Sequence, residues 1–140
     1  MPVWITSAAA LKPPQAAFGA HAVLMDAACC DPFYRKAIRV SVGAVLRTPM
    51  ATAPSVEVLL DELEAAGFET LALTPSATQP LSAVRGSGRQ ALLLGAEGPG
   101  LPDAVIRRCR AVGIPMAGGF DSLNVAATSA VALHQLTQVR

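Results

Sequence analysis

The stretch that decides the fold reads Leu-Leu-Leu-Gly-Ala-Glu-Gly-Pro-Gly-Leu-Pro at residues 92–102. A second one reads Ile-Pro-Met-Ala-Gly-Gly-Phe-Asp-Ser-Leu-Asn-Val-Ala-Ala-Thr-Ser-Ala-Val-Ala-Leu at residues 114–133. Each begins as an apolar strand, enters a turn too rich in glycine and proline to remain extended, and then opens a helix. In open α/β sheets, ligands bind outside the carboxyl ends of the strands. Because only a short helix separates the two turns, we expect them to line one crevice.

Outward from these turns, strands and helices alternate along the chain. The pattern predicts strands at His21–Met25, Val45–Pro49, Glu69–Thr74, Ala91–Gly95 and Gly113–Ala117. It predicts helices at Pro32–Val42, Val56–Gly67, Pro102–Arg110 and Val125–Val139. Pro75–Ser87 is predicted to be a polar connection with a short turn of its own. Such alternation is typical of an α/β fold, a mostly parallel sheet with helices on both faces.

Composition bounds the class of protein. The chain has 140 residues, 52% of them hydrophobic and 15% charged, which indicates one domain with a full core and excludes a disordered chain. No apolar run reaches the roughly 18 residues of a membrane span, and a signal peptide's basic start is absent, so we expect a cytoplasmic protein with no membrane partner. Three cysteines, two of them adjacent, predict reduced thiols in or near the core rather than disulfides or a metal site.

Charge gives a local signal only. The net charge of +1 is no argument for nucleic acid. The cations nevertheless cluster, and each cluster is more typical of a solvated face than of a binding site. If RNA binds, these cations are the candidates for phosphate contacts. The clusters are Arg35, Lys36 and Arg39; Arg85 and Arg89; and Arg107, Arg108 and Arg110.

The glycines of the first turn do not form a dinucleotide motif. Gly95, Gly98 and Gly100 have the order G-x-x-G-x-G instead of G-x-G-x-x-G, and no suitably placed acidic residue follows for a ribose. In the second turn, Ser122 and Asn124 are able to cap the next helix, which explains such residues in most proteins. The combined order of strands, turns and helices is far more specific than any single part.

That order resembles motifs 2 and 3 of the SpoU (TrmH-like) methyltransferases, a family in the SPOUT superfamily of knotted enzymes. Three upstream stretches, at residues 16–25, 29–49 and 64–68, also look like the catalytic domain of this family. The resemblance runs from Ala16 to the end of the chain. It divides the sequence into an atypical N-terminal segment, residues 1–15, and a SpoU-like methyltransferase domain, residues 16–140.

The resemblance implies both a fold and an activity. The implied fold is SPOUT-type with a C-terminal trefoil knot, which periodicity could not have predicted because true knots are nearly absent from proteins. The implied activity is transfer of a methyl group from S-adenosyl-L-methionine to a ribose 2′-hydroxyl of tRNA or rRNA. The family's site is built at a subunit interface, which implies a homodimer. Since the cofactor is itself the activated donor, no metal is required.

The resemblance also assigns site residues. Positions that contact the cofactor in the family are matched by Gly95, Ile114 and Leu123, and further candidates for the cofactor pocket are Leu73, Thr74 and Met116. Positions in or beside the active site, which we treat as the catalytic set, are matched by Glu97, Ser122 and Asn124. Local roles are open for two of them, because Glu97 could stabilise its own turn and Asn124 could cap the last helix.

The family's first motif, roughly Asn-x-Gly-x-x-x-Arg-Asn ahead of Ala-Ala-Ala-Phe-Gly, is where the sequence departs. Ungapped alignment places Ser7, Ala9 and Pro13 in the Asn, Gly and Arg positions. The Arg, held in the family to assist deprotonation of the ribose hydroxyl, is therefore missing. Pro13 and Pro14 also prevent the helix on which it would lie, since an interior proline costs about 3 kcal/mol. The adjacent Lys12 does not reproduce a guanidinium fork.

Two alternatives account for this departure. In the first, residues 1–15 are a truncated or frame-altered remnant, and the chain is a non-catalytic relative that binds S-adenosylmethionine or RNA. Alternatively, Arg35, Arg47 or another residue takes over the role of base. A third interpretation, an unrelated nucleotide-binding α/β domain, is disfavoured by the order of the glycines.

Overall fold

The computed structural model describes residues 3–6, 20–29, 31–33, 35–40, 42–43, 46–87, 89–95, 99–119 and 125–138. Its strands are β1 Val3–Thr6, β2 Ala22–Asp26, β3 Met50–Ala53, β4 Glu69–Leu73, β5 Gln90–Leu94 and β6 Arg110–Val112. Its helices are α1 Arg35–Val40, α2 Val56–Ala65, α3 Asp103–Arg108 and α4 Val125–Thr137, with a 3₁₀ turn at Leu81–Ala83. The strands form one six-stranded sheet in the order β3-β2-β1-β5-β4-β6. Every pairing between them is parallel.

The sheet is covered on both faces, as the sequence predicts. A larger core on one face joins Leu92 and Leu94 of β5 to Leu133 and Leu136 of α4. A smaller core on the other face joins Ala91 and Leu93 of β5 to the buried leucines of α2 and to Val105 of α3. Successive side chains of a strand point to opposite faces. The unbroken apolar run of β5 is thus explained by a central strand that is buried on both sides.

Helix α2 shows how the chain positions its elements through local signals. Ser55 caps the helix, and its hydroxyl accepts a hydrogen bond from the backbone N–H of Val58 at 3.3 Å. The helix ends at Ala65, and Gly67 just beyond the cap residue Ala66 has a φ of +75°, a conformation that glycine adopts without a Cβ penalty. There the N–H of Phe68 donates to the carbonyl of Leu63 at 2.9 Å, which closes the last turn and leads directly into β4.

Two predicted strands are displaced along the chain. The prediction of Val45–Pro49 is wrong because pairing with β2 starts at Met50, immediately after Pro49, and Leu46 is 61% exposed. The prediction of Gly113–Ala117 is wrong because the strand is Arg110–Val112. Pro49, which lacks the N–H that a ladder needs, directly precedes β3. In the second case the apolar residues Ile114 and Met116 lie beyond the strand, in the connection that follows it.

The remaining differences concern the ends of elements and one missed strand. Helix α1 is shorter than predicted, and α3 ends at Arg108 because Cys109 is already extended. Strand β1 is not predicted at all, yet it lies in the middle of the sheet between β2 and β5. Its residues, Val-Trp-Ile-Thr, are of the β-branched and aromatic types that favour strands. The segment of residues 1–15 therefore contributes a central element of the fold.

The structure tests only part of what the sequence predicts about the cysteines, membrane helices, the knot and the N-terminal prolines. In the described ranges, Cys29 and Cys109 are half-buried thiols outside any disulfide, and the Cys29 thiol donates to Oδ1 of Asp26 at 3.3 Å. Cys30 lies outside these ranges. The helices that the structure describes include none that is both long and apolar enough to cross a bilayer. The predicted knot depends on the path of residues 120–124, which lie outside the described part of the chain. The predicted effect of Pro13 and Pro14 concerns residues 7–15, which also lie outside it. These two expectations stay predictions.

Candidate functional site

Three neighbouring strands end together and define the candidate site. In the order of the sheet β5, β4 and β6 are adjacent, and they end at Leu94, Leu73 and Val112. Leu73 of β4 and Val112 of β6 are paired with each other in the sheet. The N–H of Thr74 donates to the carbonyl of Val112 at 3.0 Å. Because neighbouring strands are about 4.8 Å apart, the loops that follow them begin close together. We call the loops of residues 74–80, 95–102 and 113–119 the carboxyl edge.

Gly95 opens the first of the two glycine-rich turns and contacts the other end of that turn. A Cβ atom built on Gly95 would lie 2.6 Å from Cα of Gly100 and closer still to the carbonyl carbon of Gly100 and the N atom of Leu101. Real Cβ contacts are longer, so only glycine permits the chain to return this closely on itself. Gly100 has a φ of +69°, and a Cβ there would meet no described atom within 4 Å. The turn is therefore closed on one side and open on the other.

The second glycine-rich turn is bound to the loop that follows β4. Gly113 forms an isolated parallel bridge with Pro80. Its N–H donates to the carbonyl of Gln79 at 3.0 Å, and its carbonyl accepts from the N–H of Leu81 at 2.7 Å. A Cβ on Gly113 would lie 3.0 Å from the carbonyl oxygen of Thr74. Residues 74–81 thus pass directly beside the end of β6, which fixes where Ile114 leaves the sheet.

Leu73 and Thr74 form the end of β4 at this edge. Leu73 packs against the larger core, and Thr74 is 8% exposed. The Thr74 hydroxyl is 3.0 Å from the hydroxyl of Ser76, and it accepts a hydrogen bond from the backbone N–H of Ser76 at 3.4 Å. This short turn holds the start of the loop against β6. The two residues therefore lie below the loops, where the sequence predicts a pocket floor.

Ile114 and Met116 lie in the loop after β6, and both are half-buried. Ile114 packs against the larger core. Residues 117–119, at the far end of this loop, are exposed. Gly119 has a φ of +74°, and a Cβ there would meet nothing within 4 Å among the described atoms. No described side chain therefore covers the backbone at Gly119.

A pocket of about 400 Å³ adjoins the loop after β6. Ile114 and Pro115 form one wall, Leu81 and Ser82 of the 3₁₀ turn form a second, and α4 forms the third. The residues of α4 that line it are Ala130, Val131, His134 and Gln135. The Nε2 atom of Gln135 also donates to the carbonyl of Val84 at 3.3 Å. Ile114 thus lies between the carboxyl edge and a mainly apolar pocket on the face of α4.

Four of the assigned residues lie outside the described ranges: Glu97, Ser122, Leu123 and Asn124. The structure brings the other five, Leu73, Thr74, Gly95, Ile114 and Met116, to the carboxyl edge. The 3₁₀ turn agrees with the short turn predicted within Pro75–Ser87, but the sequence analysis did not predict that it lines a pocket. Leu81 and Val84, apolar and three residues apart, were the available signal, and both are buried.

The ionisable groups with a clear shift lie away from this edge. At the start of β4, a hydrogen bond from the buried Gln90 side chain, aided by Arg110, lowers the pKa of Glu69 despite partial burial. Burial raises the pKa of the Cys109 thiol, which makes it a poor nucleophile at neutral pH. The described residues contain no group of three His, Cys, Asp or Glu side chains that could hold a metal.

Comparisons with known proteins cover most of the chain. The model of the SpoU rRNA Methylase family matches residues 15–134. An uncharacterised tRNA/rRNA methyltransferase of Mycobacterium tuberculosis is 42% identical over 129 residues, which are 88% of this chain and 44% of that protein. One from Mycolicibacterium vanbaalenii is 34% identical over 126 residues, 89% of this chain and 40% of that protein. The chain thus spans less than half the length of these relatives.

Solved structures show the same fold. The AdoMet-bound rRNA methyltransferase from Sinorhizobium meliloti superposes with a TM-score of 0.88 at 26% identity, over 96% of this chain and 54% of that one. The SpoU methyltransferase AviRb from Streptomyces viridochromogenes, in complex with AdoMet, also has a TM-score of 0.88. It is 23% identical and is covered over 59% of its length, against 99% of this chain, so it supports the fold alone.

Proposed function

The chain belongs to the SpoU rRNA methylase family, and from this premise we propose that it transfers a methyl group from S-adenosyl-L-methionine to a ribose 2′-hydroxyl of tRNA or rRNA. The observation that carries the proposal is the carboxyl edge. Three adjacent parallel strands end there, with Leu73 at the end of β4 and with Gly95 and Ile114 in the loops that follow β5 and β6. Ligands of open α/β sheets bind at this end of the strands.

The residues present fit a nucleoside-containing cofactor. An adenine and a ribose need donors and acceptors that can be approached closely, and a loop without a Cβ offers its peptide groups in this way. Gly100 and Gly119 are exposed, and a Cβ on either would meet no described atom within 4 Å, so both glycines allow this kind of approach. We propose that the cofactor is held by Leu73, Thr74, Gly95, Ile114, Met116 and Leu123.

The cofactor supplies an activated methyl group on a sulfonium. The protein must hold the acceptor oxygen in line with the S–CH₃ bond and remove the hydroxyl proton, and such positioning supplies much of the rate. We propose that Glu97, Ser122 and Asn124, which flank the cofactor loops in sequence, contact the acceptor nucleotide. With Pro13 where the family has Arg, we propose that Arg35, Arg47 or another group of this chain takes over the role of that Arg in assisting deprotonation of the ribose hydroxyl. A guanidinium has no acceptor atom, so it would assist by stabilising the developing alkoxide while the proton leaves to another acceptor.

We further propose a homodimer, since a second subunit would complete the acceptor side of a site that opens at the edge of one sheet. The proposed substrates, tRNA and rRNA, place the protein in the cytoplasm. Light scattering tests the dimer directly. A monomer at working concentration contradicts a site that needs two subunits.

The activity is tested by measurements of cofactor binding, methyl transfer and the position of the label, performed in that order. Calorimetry with S-adenosylmethionine should give saturable binding, and its absence at high cofactor concentration contradicts the proposal. Tritium transfer from methyl-labelled cofactor to bulk tRNA and rRNA should then exceed the blank without enzyme. Nuclease digestion followed by chromatography should place the label on a ribose 2′-oxygen. Cofactor binding with no transfer would leave a binding protein that has lost turnover.

A further inference from the structure

Two helices of the chain carry charges of opposite sign, although the net charge of the chain is only +1. Helix α1, Arg-Lys-Ala-Ile-Arg-Val, carries three cations and no carboxylate. Helix α2, Val-Glu-Val-Leu-Leu-Asp-Glu-Leu-Glu-Ala, carries four carboxylates and no cation. A whole-chain charge near zero therefore conceals one cationic and one anionic helix.

The topology places these helices on opposite faces of the sheet. Connections between parallel strands are right-handed in nearly all proteins. The connection through α1 runs outward from β2 to β3, whereas the connection through α2 runs back from β3 to β4, so the two must cover opposite faces. Contacts agree, because α2 packs on the smaller core, while Cys29 and Met50, which flank α1, pack against the larger one. The cations of α1 thus share a face with α4.

The cations around α1 are exposed and have no ion pair among the described residues. Arg35, Lys36 and Arg39 are exposed, and so is Arg47 in the connection from α1 to β3. In contrast, Arg108 lies 2.7 Å from Asp61 and 3.2 Å from Glu64, and Arg110 lies 2.7 Å from Glu69. The guanidinium of Arg89 donates to the carbonyl of Ala66 at 2.8 Å. Among the described residues, Arg108 and Arg110 are thus paired with carboxylates, whereas the cations around α1 are not.

The arrangement on α1 is unfavourable for the helix itself. Arg35 and Lys36 lie in the first turn, where the positive end of the helix dipole disfavours cations. Arg35 and Arg39 are four residues apart, so like charges repel along one face. A bound polyanion would remove both penalties. Beside these cations, Phe33 is 51% exposed, and an exposed aromatic ring is a stacking partner for an unpaired base.

We propose that this surface, formed by Phe33, Arg35, Lys36, Arg39 and Arg47 and here called the basic face, binds the phosphates of a single-stranded segment of the RNA. The proposal rests on the proposed function for its RNA partner. Helix α1 follows the carboxyl end of β2, so the basic face begins at the same end of the sheet as the candidate site. Phosphate contacts there would orient the RNA without reading its sequence.

The test compares two double variants that remove the same charge. K36Q/R39Q neutralises two cations of the basic face, and neither residue belongs to the proposed catalytic or cofactor set. R85Q/R107Q neutralises two exposed cations outside it. The affinity for fluorescent tRNA is measured by anisotropy over a series of salt concentrations. Thermal unfolding and calorimetry with S-adenosylmethionine verify that each variant is folded and binds the cofactor.

If the basic face binds RNA, K36Q/R39Q should lose affinity for tRNA and R85Q/R107Q should not. Each phosphate contact contributes about 0.7 to the slope of log K against log salt for single strands, so two lost contacts should lower the slope by about 1.4. If the affinities converge near 1 M salt, this corresponds to a loss of about 25-fold near 0.1 M. R85Q/R107Q should change little. Equal losses in the two double variants, or no loss in K36Q/R39Q, would overturn the proposal.

Different outcomes would overturn the RNA-binding role of the basic face and the proposed methyl-transfer activity. Methyl transfer by the wild type with unaltered RNA affinity in K36Q/R39Q overturns the basic face and leaves the activity intact. Salt-dependent binding that K36Q/R39Q weakens, without methyl transfer by the wild type, supports the basic face and overturns the activity. A changed oligomeric state in K36Q/R39Q, with unchanged RNA affinity, would instead assign the surface to a second copy of the chain.

Discussion

Gly95 and Gly100 approach each other so closely that a Cβ on Gly95 would lie 2.6 Å from Cα of Gly100. Between them runs the turn that leaves the central strand β5 and carries Glu97 in the sequence. The contact is between backbones, which no side-chain rearrangement relieves. The close approach of the two ends of the turn therefore depends on the absence of a Cβ at Gly95.

Replacing Gly95 with Ala should weaken both folding and cofactor binding. The added methyl group must displace the backbone of Gly100 and Leu101, and overpacking of this kind typically costs about 1–3 kcal/mol. We expect a lower free energy of unfolding in urea and at least a tenfold weaker affinity for S-adenosylmethionine by calorimetry, as about 1.4 kcal/mol corresponds to tenfold.

Gly67→Ala is the matched control. Gly67 has a φ of +75° at the end of α2, away from the carboxyl edge, and a Cβ there meets its nearest described neighbour, Arg89, only at 3.7 Å. Left-handed strain should cost about 1–2 kcal/mol without changing cofactor affinity. If both variants lose cofactor affinity equally, the Gly95 turn is not the binding turn.

Asn124 immediately precedes the first residue of α4, Val125, so capping and catalysis can be separated there. Asn124→Ser keeps a capping side chain and should leave stability within a few tenths of a kcal/mol. A role at the acceptor predicts that methyl transfer nevertheless falls about 100-fold or more. Single-turnover assays at saturating cofactor measure the loss.

A cap elsewhere provides the comparison for Asn124. The hydroxyl of Ser55 caps α2 through the N–H of Val58. Ser55→Ala should therefore lower the free energy of unfolding by about 1 kcal/mol, with the rate of methyl transfer unchanged. Wild-type turnover by Asn124→Ser would show that the side chain serves the helix alone.

Helix α4 should depend on its buried face for stability. Leu133 is 1% exposed within the larger core, so Leu133→Ala should cost about 2–5 kcal/mol through lost burial and a cavity. Val131 is 48% exposed, and Val131→Ala should cost no more than about 0.5 kcal/mol. Urea unfolding of both variants measures the difference. Similar costs would mean that α4 does not pack as described.

The Glu69 carboxylate should stabilise the fold at neutral pH and lose that effect in acid. Its folded-state pKa is lowered, first by the hydrogen bond from Gln90 and then by Arg110. A lowered pKa contributes stability that is present above the unfolded-state value, about 4.3, and is lost as the pH falls through the folded-state value. Because the group is partly exposed, the contribution is at most about 1 kcal/mol.

The measurement for Glu69 is the difference in unfolding free energy between the wild type and Glu69→Gln across this pH range. The difference should be largest near neutral pH and should shrink in acid. Glu62→Gln, which removes an exposed carboxylate of α2, should show no comparable trend. A difference for Glu69→Gln that stays constant with pH contradicts the assignment.

Sequence patterns predict those elements in which local signals and burial agree. Helix α2 has a capping serine, apolar residues at helical spacing and a terminal glycine, and it starts at the predicted residue. Strand β6 has no such agreement. It is short, it includes an exposed arginine, and it takes its place from pairing with β4. The apolar residues Ile114, Pro115 and Met116 belong to the loop, so hydrophobicity alone misplaces the strand.

The two glycine-rich turns, the α/β class and the family resemblance follow from the sequence by itself, because each depends on residue types at short spacing. Tertiary structure alone decided that β4 lies between β5 and β6, which brings Leu73 beside the two turns although it is distant from them in the chain. It also decided that β1 is central and that α1 and α2 lie on opposite faces. Strand order depends on pairing between distant segments, and hydrogen bonds between backbones carry little information about which strand will be the neighbour.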